Sequence, residues 1–214
     1  MDTKLLENKE KFIDLLMSIK REGSDIEGLI KWLEDRGFFE APATTQYHHS
    51  QEGGLCEHSL DTYYKLHEIL TTFAPTKYSN DTELILGLLH DIIRCTMYEK
   101  TVINEKVRDE NGKCVDNLGR FYWNSKVVFK NKSSNDRNSF GNYAFNNYYM
   151  VSTFIPLLDE EVAALMSYDC GMSSGYVNTE VFVALGNAPL TVLLHSADML
   201  SSYLPKDFGH EQTY

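Results

Sequence analysis

The chain has 214 residues, 43% hydrophobic and 24% charged, the balance of an ordinary globular protein long enough to bury a sizeable core. Its formal charge of −11, from 20 basic against 31 acidic residues, opposes the counterion release that drives binding to long nucleic acid, and no local Lys/Arg cluster offsets it. No apolar run reaches the roughly 18 residues a membrane span needs. The charged start MDTKLLENKEKF is unlike a secretory leader, and Cys56, Cys95, Cys114 and Cys170 are too scattered for a zinc knuckle or a disulfide framework. A single cytoplasmic domain with reduced thiols is the expectation.

In chain order, residues 3 to 20 and 24 to 36 predict two amphipathic helices, a hairpin that opens the fold within residues 1–40. The second is marked by Ser24 as N-cap, Glu27 three positions on, and Gly37 after its last turn. The stretch FFEAPATTQYHHSQEGG predicts an irregular segment, after which a helix starts at Leu55 and runs to about Phe73, with His58 in its first turn. NDTELILGLLHDIIRC, capped by Asn80 or Asp81, predicts a helix buried on most sides that ends at His90 and Asp91. Residues 98–130 change character. β-Branched and aromatic residues surround the turn signal ENGK, and a β-hairpin inserted between helices is expected. KNKSSNDRNS is a polar loop, and helices over 141–154, 158–168 and 187–203 complete a mainly α chain.

His58, the pair His90-Asp91, and Asp198 interrupt strongly apolar helical settings, the last two in ILGLLHD and VLLHSAD. Imidazoles and carboxylates are costly to bury unless they are paired or bind a metal. Two imidazoles and two carboxylates form a mixed nitrogen and oxygen set suited to Mn²⁺, Fe²⁺, Ni²⁺, Co²⁺ or Zn²⁺, and Mg²⁺ remains open. Positions left for water would supply a nucleophile whose pKa the cation lowers. His67 and His210, by contrast, read as ordinary surface or core histidines.

The order His58, His90-Asp91, Asp198 resembles the HD superfamily of metal-dependent phosphohydrolases. The resemblance runs from about Ala41 to Tyr203, and TTQYHHSQEGGLCEHSL, LGLLHDIIR and LTVLLHSADML all look like stretches of small, single-domain bacterial and phage HD proteins. It implies an HD-type helical bundle over 1–214 with the hairpin inserted near 98–130, in a bacterial or phage-infected cytoplasm. It also implies His58, His90, Asp91 and Asp198 as metal ligands, with Asp91 orienting the attacking water. Arg94 stands where the family usually has lysine and could clamp a phosphate or simply complement a helix C-terminus. His48 is a candidate general acid. His195 lies one turn before Asp198 and faces either substrate or a structural hydrogen bond.

Two places depart from the pattern. Where similar proteins carry histidines, this chain has Asn142 in FGNYAF and Asp169 in SYDCGMSSG. Asn142 is then a substrate contact, and Asp169 a general base or a ligand for a hard cation. The expected function is hydrolysis of a small nucleotide phosphate (mono-, tri- or cyclic) by a metal-bound water. The alternative is a divergent protein that binds metal, nucleotide or a protein partner without turnover. Self-association stays open.

Overall fold

The computed structural model describes residues 3–133, 142–167 and 186–204. Among these, seven α-helices and one antiparallel pair of strands make a mainly helical protein. The chain divides into two compact units, Met1–Thr96 with Asn138–Tyr214, and Met97–Arg137, so the inserted segment is a unit of its own within the expected single domain.

In the first unit, helix α1 (Thr3–Met17) buries Phe12 and Leu16. Helix α2 (Ile26–Asp35) starts from Asp25 rather than Ser24: the Asp25 carboxylate accepts the Gly28 N–H at 2.9 Å. The Asp25 N–H is itself tied to the Phe154 carbonyl at 2.7 Å, which holds this residue outside the helical region and delays the helix by one position. At the other end the Gly37 N–H returns to Glu34 and the Phe38 N–H to Leu33, a Schellman closure that Gly37 completes in the left-handed region. The reversal sets Phe38 and Phe39 against Phe12, with ring centroids 5.0 and 5.7 Å away.

Helix α3 (Gly54–Phe73) and helix α4 (Asn80–Leu89) form the centre. Ser79, not Asn80 or Asp81, caps α4 by accepting the Thr82 N–H, while the Asp81 carboxylate turns away to the Lys20 N–H at 3.1 Å. Leu84 to Leu89 are all buried, as their apolar run requires. A Cβ at Gly87 would lie 2.5 Å from the Tyr63 Cα, so α3 and α4 meet backbone to backbone at this point. A short 3₁₀ helix, Ile92–Met97, follows.

Helices α5 (Tyr143–Phe154), α6 (Asp159–Ser167) and α7 (Pro189–Tyr203) close the unit, with α7 packed on α3 and α6. Glu161 of α6 is fully buried. It receives Arg21, the Thr82 hydroxyl at 2.8 Å and the Leu158 N–H at 2.8 Å, and its hydrogen-bonded charge raises the Arg21 pKa. Every lone pair of this buried carboxylate thus meets a donor, which is the condition for its being there.

The second unit is the expected hairpin. Strand β1 (Tyr98–Lys106) runs antiparallel to β2 (Trp123–Asn131) in a register from Tyr98↔Asn131 to Lys106↔Trp123. Between them two five-residue turns repeat one device: Asp109 accepts the N–H groups of Asn111 and Lys113, and Asp116 those of Leu118 and Arg120. Lys100 lies over the Phe129 ring and Lys106 over the Phe121 ring. Among the described residues no helix is long and apolar enough to cross a membrane.

Candidate metal centre

Three elements deliver His58, His90 and Asp198 to one point. His58 is the fifth residue of α3, His90 caps the C-terminus of α4, and Asp198 lies on α7. The His58 Nε2 is 3.2 Å from the His90 Nε2 and 3.1 Å from the Asp198 Oδ1, and the third edge, His90 Nε2 to Asp198 Oδ1, is 3.8 Å. The point equidistant from these three atoms lies about 2.0 Å from each, the length of a zinc–imidazole or zinc–carboxylate bond. Both imidazoles are buried, whereas the Asp198 side chain keeps 23% exposure.

The outer hydrogen bonds of the two rings set their tautomers. The His90 Nδ1 lies 3.0 Å from the Gly87 carbonyl, which can only accept, so Nδ1 carries the proton and the Nε2 lone pair faces the triangle. The Ser201 hydroxyl donates to the Asp198 carbonyl at 2.8 Å, which leaves its oxygen to accept from the His58 Nδ1 at 3.3 Å and from Thr62 at 2.8 Å. The His58 Nε2 lone pair therefore also points inward. Burial lowers the His90 pKa and favours its neutral form. For Asp198 burial works in the other direction, but the adjoining His58 and His90 rings hold its carboxyl below the usual range. Two inward lone pairs and a carboxylate oxygen within 3.8 Å form a donor set that could hold a cation. Both outer imidazole nitrogens are already fixed by hydrogen bonds, the kind of support that orients ligands in metal sites.

Asp91 follows His90 directly, and its side chain has partners of its own. Among the described residues, the donor atoms gathered here are those of His58, His90 and Asp198, without Asp91. One Asp91 oxygen accepts from the Arg94 Nε and the other from the Tyr143 hydroxyl. Burial opposes the charge, yet the Arg94 guanidinium, ahead of the other neighbours, holds the carboxyl well below the usual carboxylate range. Arg94 is in turn stacked over the Tyr143 ring at 5.0 Å. The backbone of the dipeptide is clamped from α5: the buried Asn147 donates to the Leu89 carbonyl at 2.9 Å and accepts the Ile93 N–H at 3.1 Å, one contact on each side of His90-Asp91. Tyr143, Asn147, Ser201 and Thr62 hydrogen-bond to these groups, and sequence reasoning missed them. The only trace they leave is their polarity on buried helix faces.

The loop before α3 carries His48, whose ring centroid is 5.6 Å from that of His58 and whose Nε2 is 3.2 Å from the Ser202 hydroxyl. Burial, then the neighbouring His58, lowers its pKa, so the group expected as a general acid is held toward its neutral form. Gly53 and Gly54 let the chain enter α3. Gly53 has φ +77, and a Cβ on Gly54 would lie 2.0 Å from the His49 carbonyl oxygen. His195 is one turn from Asp198 and partly buried, and its imidazole is not one of the gathered donors. The Asn142 side chain caps α5 by accepting the Phe145 N–H at 2.8 Å. Asp169 lies outside the described residues.

Compared with known proteins, the chain matches no family model, no curated protein and no solved structure.

Proposed function

We propose that the protein is a metal-dependent phosphohydrolase of HD type that cleaves the phosphate ester of a small nucleotide. The observation that carries this reading is the donor triangle: His58, His90 and Asp198 bring three lone-pair atoms to a common centre, the two imidazoles buried and the Asp198 side chain partly exposed. The set fits a borderline divalent cation such as Mn²⁺, Fe²⁺, Co²⁺, Ni²⁺ or Zn²⁺ better than Mg²⁺, which prefers oxygen. Such a cation, when bound, supplies Lewis acidity toward water and a phosphoryl oxygen.

The remaining work belongs to the side chains around it. Asp91, kept ionised by Arg94 and Tyr143, is an acceptor positioned to orient a water from the floor of the site. Arg94, with a side chain 30% exposed, can turn its terminal NH₂ groups toward a phosphate while its Nε stays on Asp91. Neutral His48 accepts a proton more readily than it supplies one, which suits passing a proton outward from the centre.

The test uses the full chain, stripped of metal and reloaded with each divalent ion in turn. Phosphate release is followed on a panel of nucleoside mono-, tri- and cyclic phosphates, beside thermal shifts with the same ligands. Turnover that needs the added ion and is lost in Asp198→Asn supports the reading. Nucleotide-induced stabilisation without product in any metal form overturns it in favour of a binding protein without turnover.

A further inference from the structure

A second set of donor atoms lies next to the first. Glu57 precedes His58 on α3, and successive helical residues point about 100° apart, so the two face different sides, while Glu57 and Asp61 share a face at i, i+4. The loop residue His49 meets that face: its Nε2 is 3.2 Å from the Asp61 Oδ2, and one ligand atom from each of His49, Glu57 and Asp61 lies within 4.8 Å of the others. Glu57 is 7% exposed, deep enough that its carboxylate needs a cationic neighbour. The neighbour present is Lys4, whose Nζ reaches the Oε1 at 2.8 Å from a side chain that is 61% exposed. Gln51 donates to the other oxygen at 2.9 Å, and a flip of its amide would present an oxygen in place of the NH₂.

We propose that His49, Glu57 and Asp61 form a second divalent-cation site, in which the ion displaces the Lys4 ammonium and the Gln51 amide oxygen completes the set. One imidazole, two carboxylates and an amide oxygen suit a hard-to-borderline ion, Mn²⁺ or Zn²⁺, and disfavour a soft one. The exposed Lys4 loses little on release because its ammonium returns to water. The site stands apart from the proposed hydrolase chemistry and does not depend on it. His49 and His58, one from each set, have ring centroids 5.5 Å apart, so occupancy of one site is felt electrostatically at the other.

The experiment titrates Mn²⁺ into the metal-free full chain by electron paramagnetic resonance and calorimetry, with Zn²⁺ content measured in parallel. It compares the wild type with Asp61→Asn, Asp198→Asn and Lys4→Met, each checked for native melting. The proposal expects two equivalents per chain in the wild type, one in Asp61→Asn and one in Asp198→Asn. Removal of the competing ammonium in Lys4→Met should tighten the second ion about tenfold. One equivalent in the wild type, lost in Asp198→Asn and kept in Asp61→Asn, overturns the second site and leaves the first standing. Two equivalents with an affinity indifferent to both Asp61→Asn and Lys4→Met also overturn it. No bound ion in any form removes both sites together.

Discussion

The two donor sets sit on adjacent faces of one helix and are built in opposite ways. His58, His90 and Asp198 come from three helices, and the outer atom of each imidazole is fixed, His90 by the Gly87 carbonyl and His58 by the Ser201 hydroxyl. His49, Glu57 and Asp61 come from a loop and a single helical turn, and the partners now on Glu57 are an exposed lysine and a glutamine. The first is a rigid arrangement whose geometry is set before any ion could enter, and the second is an adaptable one that an ion would have to complete. The contrast teaches that preorganisation resides in what holds the ligands, and much less in the ligands themselves.

Asp198→Ala should break the contrast most severely. Loss of a direct ligand exceeds the tenfold to hundredfold cost of losing an outer partner, so metal content at the first set and ion-dependent phosphate release should fall by more than about a hundredfold. Metal analysis and phosphate assay on the same sample check this, and full turnover in the variant would remove the first set from the chemistry. Next comes Tyr143→Phe. Removing the hydroxyl from the buried Asp91 should cost about 1–3 kcal/mol of stability, read by denaturant melting, and lower turnover with ion stoichiometry unchanged. A drop in ion stoichiometry instead would mean that Asp91 joins the coordination.

Ser201→Ala sharpens the comparison further, since it frees the His58 Nδ1 and touches nothing in the second set. Affinity for the first ion should weaken by about tenfold and that for the second should stay, as calorimetry of both phases would show. The smallest expected effect is on pH. The His90 and His48 pKa values are both lowered by burial, so below the ordinary histidine value of about 6.5 the unfolded chain binds more protons than the folded one. The stability they contribute is complete above that value and is lost as pH falls toward the folded pKa values. Melting temperature of the ion-free protein should therefore decline between pH 7 and 5, with a shallower slope in His48→Gln.

The sequence carried the helical frame and the three principal donors for one reason: a polar side chain inside an apolar run declares itself. His58, His90 and Asp198 each do so. Asp91 was equally conspicuous, but its partner was not, because Tyr143 lies 52 residues on, beyond the hairpin, and reads as one aromatic among many. The helix starts slipped by a residue or two at Asp25 and Ser79, since Ser24, Asp25, Ser79, Asn80 and Asp81 are all competent caps and tertiary bonds to Phe154 and Lys20 decide among them. Asn142 shows the same limit in reverse. An amide that looks like a site residue caps a helix. Glu57 and Asp61 escaped notice because carboxylates four apart on a helix usually mark a solvated face.

Gly87 links the architecture to the chemistry. Its missing side chain lets two helical backbones touch at Tyr63, and its carbonyl orients the His90 ring three residues later. Spacing of the imidazoles and choice of tautomer thus hang on a single hydrogen atom in place of a methyl group. A wedge at that crossing would pry the donors apart with no ligand altered, and the centre would lose its grip through distance alone.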